Sequence, residues 1–258
     1  MPSSAETTTP RGTVTVTEGR GSPLVIERCT PGPVSTAAVS TERAATVPFS
    51  TVHGRMLADQ RGRAEGTLST DQLLLFSPDP VVTLGSAGAE SDLLLGRAAL
   101  IERGVEIFTV DRGGETTYHG PGQRVGYLTL WLGEDERDLH RLLRSIEGAL
   151  IDSLGELGLR GGRIEGKTGV WIEGRKIASI GLSVRHWVTG HGFALCVSGD
   201  LDPFSWIVPC GTQNCPYTTL EHELGGAPPP WDLDAILSKH FALHLDRVPQ
   251  FDPKNDRE

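Results

Sequence analysis

Leu139, Leu142, Leu143, Ile146, Leu150, Leu154 and Leu157 recur at spacings of three and four, and this is the only long stretch of the chain with that period. Such a stripe predicts one amphipathic helix, ending near Gly158. Most of what surrounds it reads at the period of a strand. Asp71–Phe76 and Val81–Leu84 are short apolar runs split by Ser77-Pro78-Asp79-Pro80, and Val105–Val110 and Val125–Trp131 follow. After the helix, Val170-Trp171-Ile172 and Arg175–Ile180 flank Glu173-Gly174 as a hairpin, and His191–Val197 is a further strand. A short helix around Thr219–Leu224 and a last one around Leu233–Leu245 close the pattern. Hairpins outnumber strand–helix alternations, so the expected fold is α+β: a mixed, mainly antiparallel sheet flanked by helices. Residues 1–45, rich in Ser, Thr, Pro and Gly, are expected to be a poorly ordered extension with short strands at Thr13–Thr17 and Leu24–Glu27. One domain is expected over 46–248, with a tail at 249–258.

Composition excludes several classes. With 258 residues, 38% of them hydrophobic, the chain can bury a core. No run approaches the ~18 apolar residues of a membrane span, and the start lacks the pattern of a secretory signal, so the cytoplasm is the expected location. Four cysteines form no disulfide framework at this length. A net charge of -9 speaks against a nucleic-acid binder. Positive charge is nevertheless concentrated between residues 160 and 191: Arg160, Arg163, Lys167, Arg175, Lys176 and Arg185, opposed by Glu165 and Glu173. That segment is either a solvated hairpin or a docking patch for an acidic partner.

Three constellations carry chemistry. Arg112-Gly113-Gly114-Glu115-Thr116-Thr117-Tyr118-His119-Gly120-Pro121-Gly122-Gln123 holds enough glycine to wrap a ligand closely, but lacks the Lys-Ser/Thr of a phosphate loop and the spacing of a dinucleotide fingerprint. Lys176 sits among Ile177, Ala178, Ile180 and Leu182; it either snorkels to water or is partly desolvated, and desolvation would bring its proton exchange toward neutral pH. Cys210 ends the apolar run Ile207-Val208-Pro209 and precedes Gly211. It is either a small buried hydrophobe or a nucleophile, and a lysine beside it would stabilise the thiolate. Cys210, Cys215 and His222 do not make up a zinc set, so no metal is expected. Cys196 falls within a strand and reads as core; His191 could line a pocket or pack.

In order, these blocks resemble the octanoyltransferase family, also called lipoate–protein ligase B. Arg112–Gln123 is similar to its RGG-x-x-T-Y/F-H-G-P-G-Q loop. GVWIEGRKIASIGLSVR at 169–185 is similar to its lysine hairpin, HGFAL and DLDPF continue it, and IVPCG at 207–211 is similar to its cysteine block. Thr218-Thr219-Leu220, Glu223-Leu224-Gly225 and Pro80–Gly85 also fit. Cys196 replaces the family's usual Asn, Thr168 replaces a common Pro, and the extension has no counterpart. The resemblance implies the fold of the biotin/lipoate protein ligase catalytic domain. It implies transfer of an octanoyl group from acyl-carrier-protein to a lysine of lipoyl domains, those of 2-oxoacid dehydrogenase complexes and the glycine cleavage H protein. Cys210 would carry the acyl group and Lys176 would tune the thiol and relay protons. Arg112, Gly113, Gly114, Glu115, Thr116, Thr117, Tyr118, His119, Ser179, Ile180, Gly181, Gly192, Phe193 and Ala194 would line the acyl site. No cofactor and no ATP are implied, and no nucleic acid or membrane. An ATP-dependent lipoate or biotin ligase of the same fold is the rival reading, and a non-catalytic scaffold a more distant one.

Overall fold

The computed structural model describes residues 22–30, 46–209, 215–226 and 230–251. The proposed nucleophile Cys210, with Gly211, lies outside the described residues, as does the strand expected at Thr13–Thr17.

Eight strands form the main sheet, in the order β11-β1-β2-β6-β10-β9-β8-β7. They are β1 (Pro23–Arg28), β2 (Asp71–Phe76), β6 (Gln123–Thr129), β7 (Gly162–Ile164), β8 (Lys167–Ile172), β9 (Arg175–Arg185), β10 (Val188–Cys196) and β11 (Val248–Phe251). Only β11–β1 and β1–β2 pair in parallel; every other pairing in this sheet is antiparallel. A second, smaller sheet joins β4 (Glu106–Thr109), β3 (Val81–Leu84) and β5 (Thr116–His119).

Helices cover both faces of the main sheet. The leucine stripe forms α3 (Leu139–Glu156), capped by Asp138, whose carboxylate accepts from the Arg141 N–H at 3.0 Å. With α5 (Pro230–His244) it buries Leu142, Ile146, Leu150, Leu237 and Phe241 against Leu73, Leu75, Leu128 and Phe193. On the other face α1 (Phe49–Glu65) packs Phe49, Val52 and Met56 against Leu74, Phe76 and Tyr127. The alternation of Leu73 and Leu75 with Leu74 and Phe76 is what a strand buried on both faces requires. Two short helices, α2 (Arg97–Glu102) and α4 (Leu220–Leu224), complete the set. No helix among the described residues is long and apolar enough to cross a membrane.

The strand expected at Leu24–Glu27 is present as β1, inside the main sheet, paired to β2 on one side and β11 on the other, so the sheet draws on residues both before 46 and after 248. One expectation changes. The hairpin strand that starts at Arg175 runs on to Arg185 and turns into β10 through His186 and Trp187, both at positive φ (50° and 61°). No glycine marks that turn, which is why the sequence hides it. By contrast Glu173-Gly174, at φ 47° and 81°, is the turn the sequence predicts.

Candidate active site

A cavity of about 850 Å³ runs along β9 and β10. The small sheet, the loop at 111–115, the first turns of α3 and the β8–β9 hairpin enclose it. The loop is fastened over β9, since the Gly113 N–H donates to Leu182 O at 2.7 Å. This contact needs a bare α-carbon below: a Cβ on Gly181 would stand 3.0 Å from Gly113 O and 3.1 Å from Arg112 Cδ.

Of the acyl-site residues expected from the sequence, Arg112, Gly113, Gly114, Glu115, Thr117, His119, Ser179, Ile180, Gly181, Gly192, Phe193 and Ala194 line this cavity. Thr116 and Tyr118 do not. They alternate with Thr117 and His119 along β5 and so face the opposite way. The Thr116 hydroxyl donates to Asp92 Oδ2 at 2.6 Å, and the Tyr118 ring packs edge-on against Phe204 and Trp206. Both support the loop from behind. Arg112 is buried and also braces the structure: its Nη2 donates to Thr83 O and Thr83 Oγ1, each at 2.8 Å.

Lys176 enters the same cavity from β9 and is 4% exposed. It stands opposite Trp171 in the β8–β9 register, with Nζ 5.3 Å from the centroid of that ring. Its backbone is fixed from a third side: the Lys176 N–H donates to Pro216 O at 2.7 Å, and the Thr218 N–H donates to Lys176 O at 3.0 Å. Cys215 lines this cavity and also a neighbouring one that Pro209 lines. The segments on both sides of residue 210 are therefore anchored. Before it, Val208 N donates to Asp92 O at 2.8 Å and Leu93 bridges Ile207; after it, Tyr217 bridges Lys176. Cys196 is buried in the core as expected, and desolvation pushes its thiol up to about 12, with the Lys176 charge opposing. It stays a thiol at neutral pH.

The other end of the cavity is built around His191, Asp111 and His119. His191, at φ 59°, pairs across the sheet with Leu182, six residues along β9 from Lys176, or about 20 Å of strand. Its Nε2 lies 3.2 Å from Asp111 Oδ1, and its ring packs on His53 and Tyr127. Burial holds the Asp111 carboxyl up, but the His191 hydrogen bond and the Arg185 guanidinium outweigh it and leave its pKa below the ordinary value. Burial lowers both His191 and His119 to about 4, so each ring is neutral at pH 7. Gln123 donates through Nε2 to Tyr118 O, which aims its carbonyl at His119 Nδ1, 3.0 Å away. His119 is then the Nδ1–H tautomer, and its Nε2 is an acceptor. Among the described residues no group of three or more His, Cys, Asp or Glu gathers in a metal-binding arrangement.

Three members of the basic cluster pair with acids from other parts of the chain. Arg163 pairs with Glu147 at 2.7 Å, Arg175 with Glu223 at 3.0 Å, and Arg185 with Asp111 at 2.8 Å. Arg163 and Arg185 stay exposed all the same, as do Arg160 and Lys167, and Lys167 lies on the cavity wall.

The shape is that of the lipoate ligases. Lipoate-protein ligase A bound with ATP superposes with a TM-score of 0.65 at 18% identity, covering 91% of this chain and 90% of that one. A lipoate protein ligase from Thermoplasma acidophilum with bound lipoic acid gives 0.63 at 15% identity, covering 90% and 89%. Residues 55–242 match the lipoyl protein ligase A/B catalytic domain, and the chain belongs to that family. Within it, the octanoyltransferase of Geobacter sulfurreducens is 46% identical over 198 residues, covering 76% of this chain and 79% of that protein. The octanoyltransferase of Solibacter usitatus is 45% identical over 184 residues, covering 71% and 82%.

Proposed function

We propose that the chain moves an octanoyl group onto a protein lysine through a thioester on Cys210, with Lys176 as its proton partner. Kinship with the octanoyltransferases makes it an acyltransferase of protein lipoylation. The observation that supports the route is that Pro216, Tyr217 and Thr218, a few residues after Cys210 in the chain, bond to the backbone of Lys176, which itself lines the cavity.

The steps balance without a cofactor. Cys210 gives up its proton and attacks the donor thioester carbonyl; the carbonyl re-forms as the donor thiolate leaves, and Lys176 returns a proton to it. The acceptor lysine's neutral amine then attacks the Cys210 thioester. An amide forms, the Cys210 thiolate leaves, and the amine's spare proton passes through Lys176. Thioester exchange is nearly balanced and aminolysis of a thioester runs downhill, so ATP has no task. The donor in this reading is octanoyl-acyl-carrier-protein. The acceptors are lipoyl domains of 2-oxoacid dehydrogenase complexes and the glycine cleavage H protein, all in the cytoplasm.

Incubation with octanoyl-acyl-carrier-protein in the absence of ATP, followed by intact-mass and peptide analysis, tests this. One octanoyl adduct on Cys210 is expected, with none in Cys210→Ala. An adduct on Cys215 or Cys196 would displace the assignment, and a requirement for ATP would establish the ligase reading.

A further inference from the structure

Glu147 lies on α3, outside the cavity wall, and is 1% exposed. Its Oε2 accepts from Arg144 Nη1 and Arg163 Nε, both at 2.7 Å. Its Oε1 accepts from the Gly169 N–H at 3.2 Å. A buried carboxylate with two guanidiniums on one oxygen is held firmly, and its other oxygen holds a single backbone donor.

Gly169 is the wall behind Lys176. It sits at φ 130°, next to a register shift between Val170 and Trp171 in the β8–β9 ladder. A Cβ there would stand 2.9 Å from Lys176 Cε and 2.6 Å from Ala178 O. The lysine stem therefore passes across a bare α-carbon, with Trp171 near its ammonium. Glu147 is the side chain that fixes this α-carbon relative to α3.

We propose that Glu147 is a positioning residue for the reaction: by gripping the Gly169 N–H it fixes the wall on which Lys176 lies, and so sets where the ammonium stands in the cavity. The inference rests on the Cys210–Lys176 reading above. Glutamine is the informative replacement. Its amide has one acceptor and one donor end, so it must turn NH₂ either toward the two arginines or toward the Gly169 N–H, donor against donor.

The test is the pH dependence of Cys210 alkylation by iodoacetamide, followed on the Cys210 peptide, together with kcat and KM for octanoyl-acyl-carrier-protein. Lys176→Ala should raise the alkylation midpoint. Glu147→Gln should raise it part of the way, by roughly half a pH unit, and lower kcat roughly tenfold with little change in KM. The double variant should be no slower than Lys176→Ala alone. Arg163→Met, which loosens the same carboxylate from the solvent side, should act in the same direction by less, and serves if Glu147→Gln does not fold. A wild-type alkylation midpoint and kcat in the folded variants would reduce Glu147 to a clamp on the hairpin. Losses that multiply in the double variant would show that it acts apart from Lys176. If Lys176→Ala leaves the midpoint unmoved, the dyad reading fails first and this inference with it.

Discussion

At one end of the cavity a single lysine is held by backbone hydrogen bonds and an aromatic ring; at the other, His191, Asp111, Arg185, His119 and Gln123 hold one another. The first arrangement sets the buried Lys176 ammonium beside the Trp171 ring on the cavity wall. The second ties up each polar group and keeps both rings neutral. On the proposed mechanism the chemistry falls at the Lys176 end, and the His191 end contributes shape.

The largest effect expected from this contrast is at the lysine. Lys176→Ala should slow acylation by ~100- to 10,000-fold while the thermal midpoint changes little, as general acid–base help is usually worth. Lys176→Arg should not rescue it, because a guanidinium does not give up its proton. An active arginine variant would show that charge alone matters at this end.

Gly181→Ala should act on shape. The added methyl crowds Gly113 O and Arg112 Cδ, so KM for the octanoyl donor should rise about tenfold with kcat less affected. A fall in kcat with KM unchanged would mean that the floor under the loop takes part in the chemical step.

The His191 end should report itself in stability. His119 and His191 have folded-state pKa values of about 4 against an ordinary 6.5, so the unfolded chain binds protons in that window and the folded one does not. Their contribution is intact above about pH 6.5 and is lost as pH falls toward 4. Urea unfolding should show a loss on the order of 4 kcal/mol between pH 7 and pH 5, about half of it from each histidine, and smaller in His119→Gln. A flat profile would mean that this end is wet rather than dry.

The smallest effect concerns approach. Lys167→Glu should lower kcat/KM for protein substrates about two- to fivefold at low salt and leave small thioesters untouched. Arg175→Glu should instead destabilise α4, since it sets like charge against Glu223. Equal behaviour of the two variants would restore the single docking patch read from the sequence.

The sequence shows much of this plainly. The α3 stripe, the Glu173-Gly174 turn and the glycine-dense loop each carry a local signal strong enough to survive tertiary packing. α1 does not: its buried stripe of Phe49, Val52, Met56 and Gln60 is diluted by polar neighbours, and Pro48 at its start offers no side-chain cap. The outward turn of Thr116 and Tyr118 was available from the two-residue period of a strand, had the loop's end been read as one. Glu147, Asp111 and Trp171 had no such signal. Their partners lie 22, 80 and 5 positions away, and nothing in a polar residue on a helix, a loop acid or a strand tryptophan says which neighbour the fold will bring. The charge cluster was legible as composition but its pairing was not, because the acids that meet Arg163, Arg175 and Arg185 come from elsewhere in the chain.

The pairing of β11 with β1 bears on how the protein is made. Residues 23–26 meet residues 248–251, so this edge of the sheet is assembled only after almost everything between them has left the ribosome. Until then β1 is itself the sheet's border and offers a row of open backbone groups to other nascent chains. The buried Arg247–Asp71 ion pair at 2.7 Å, immediately before β11, fixes the strand that takes over that border.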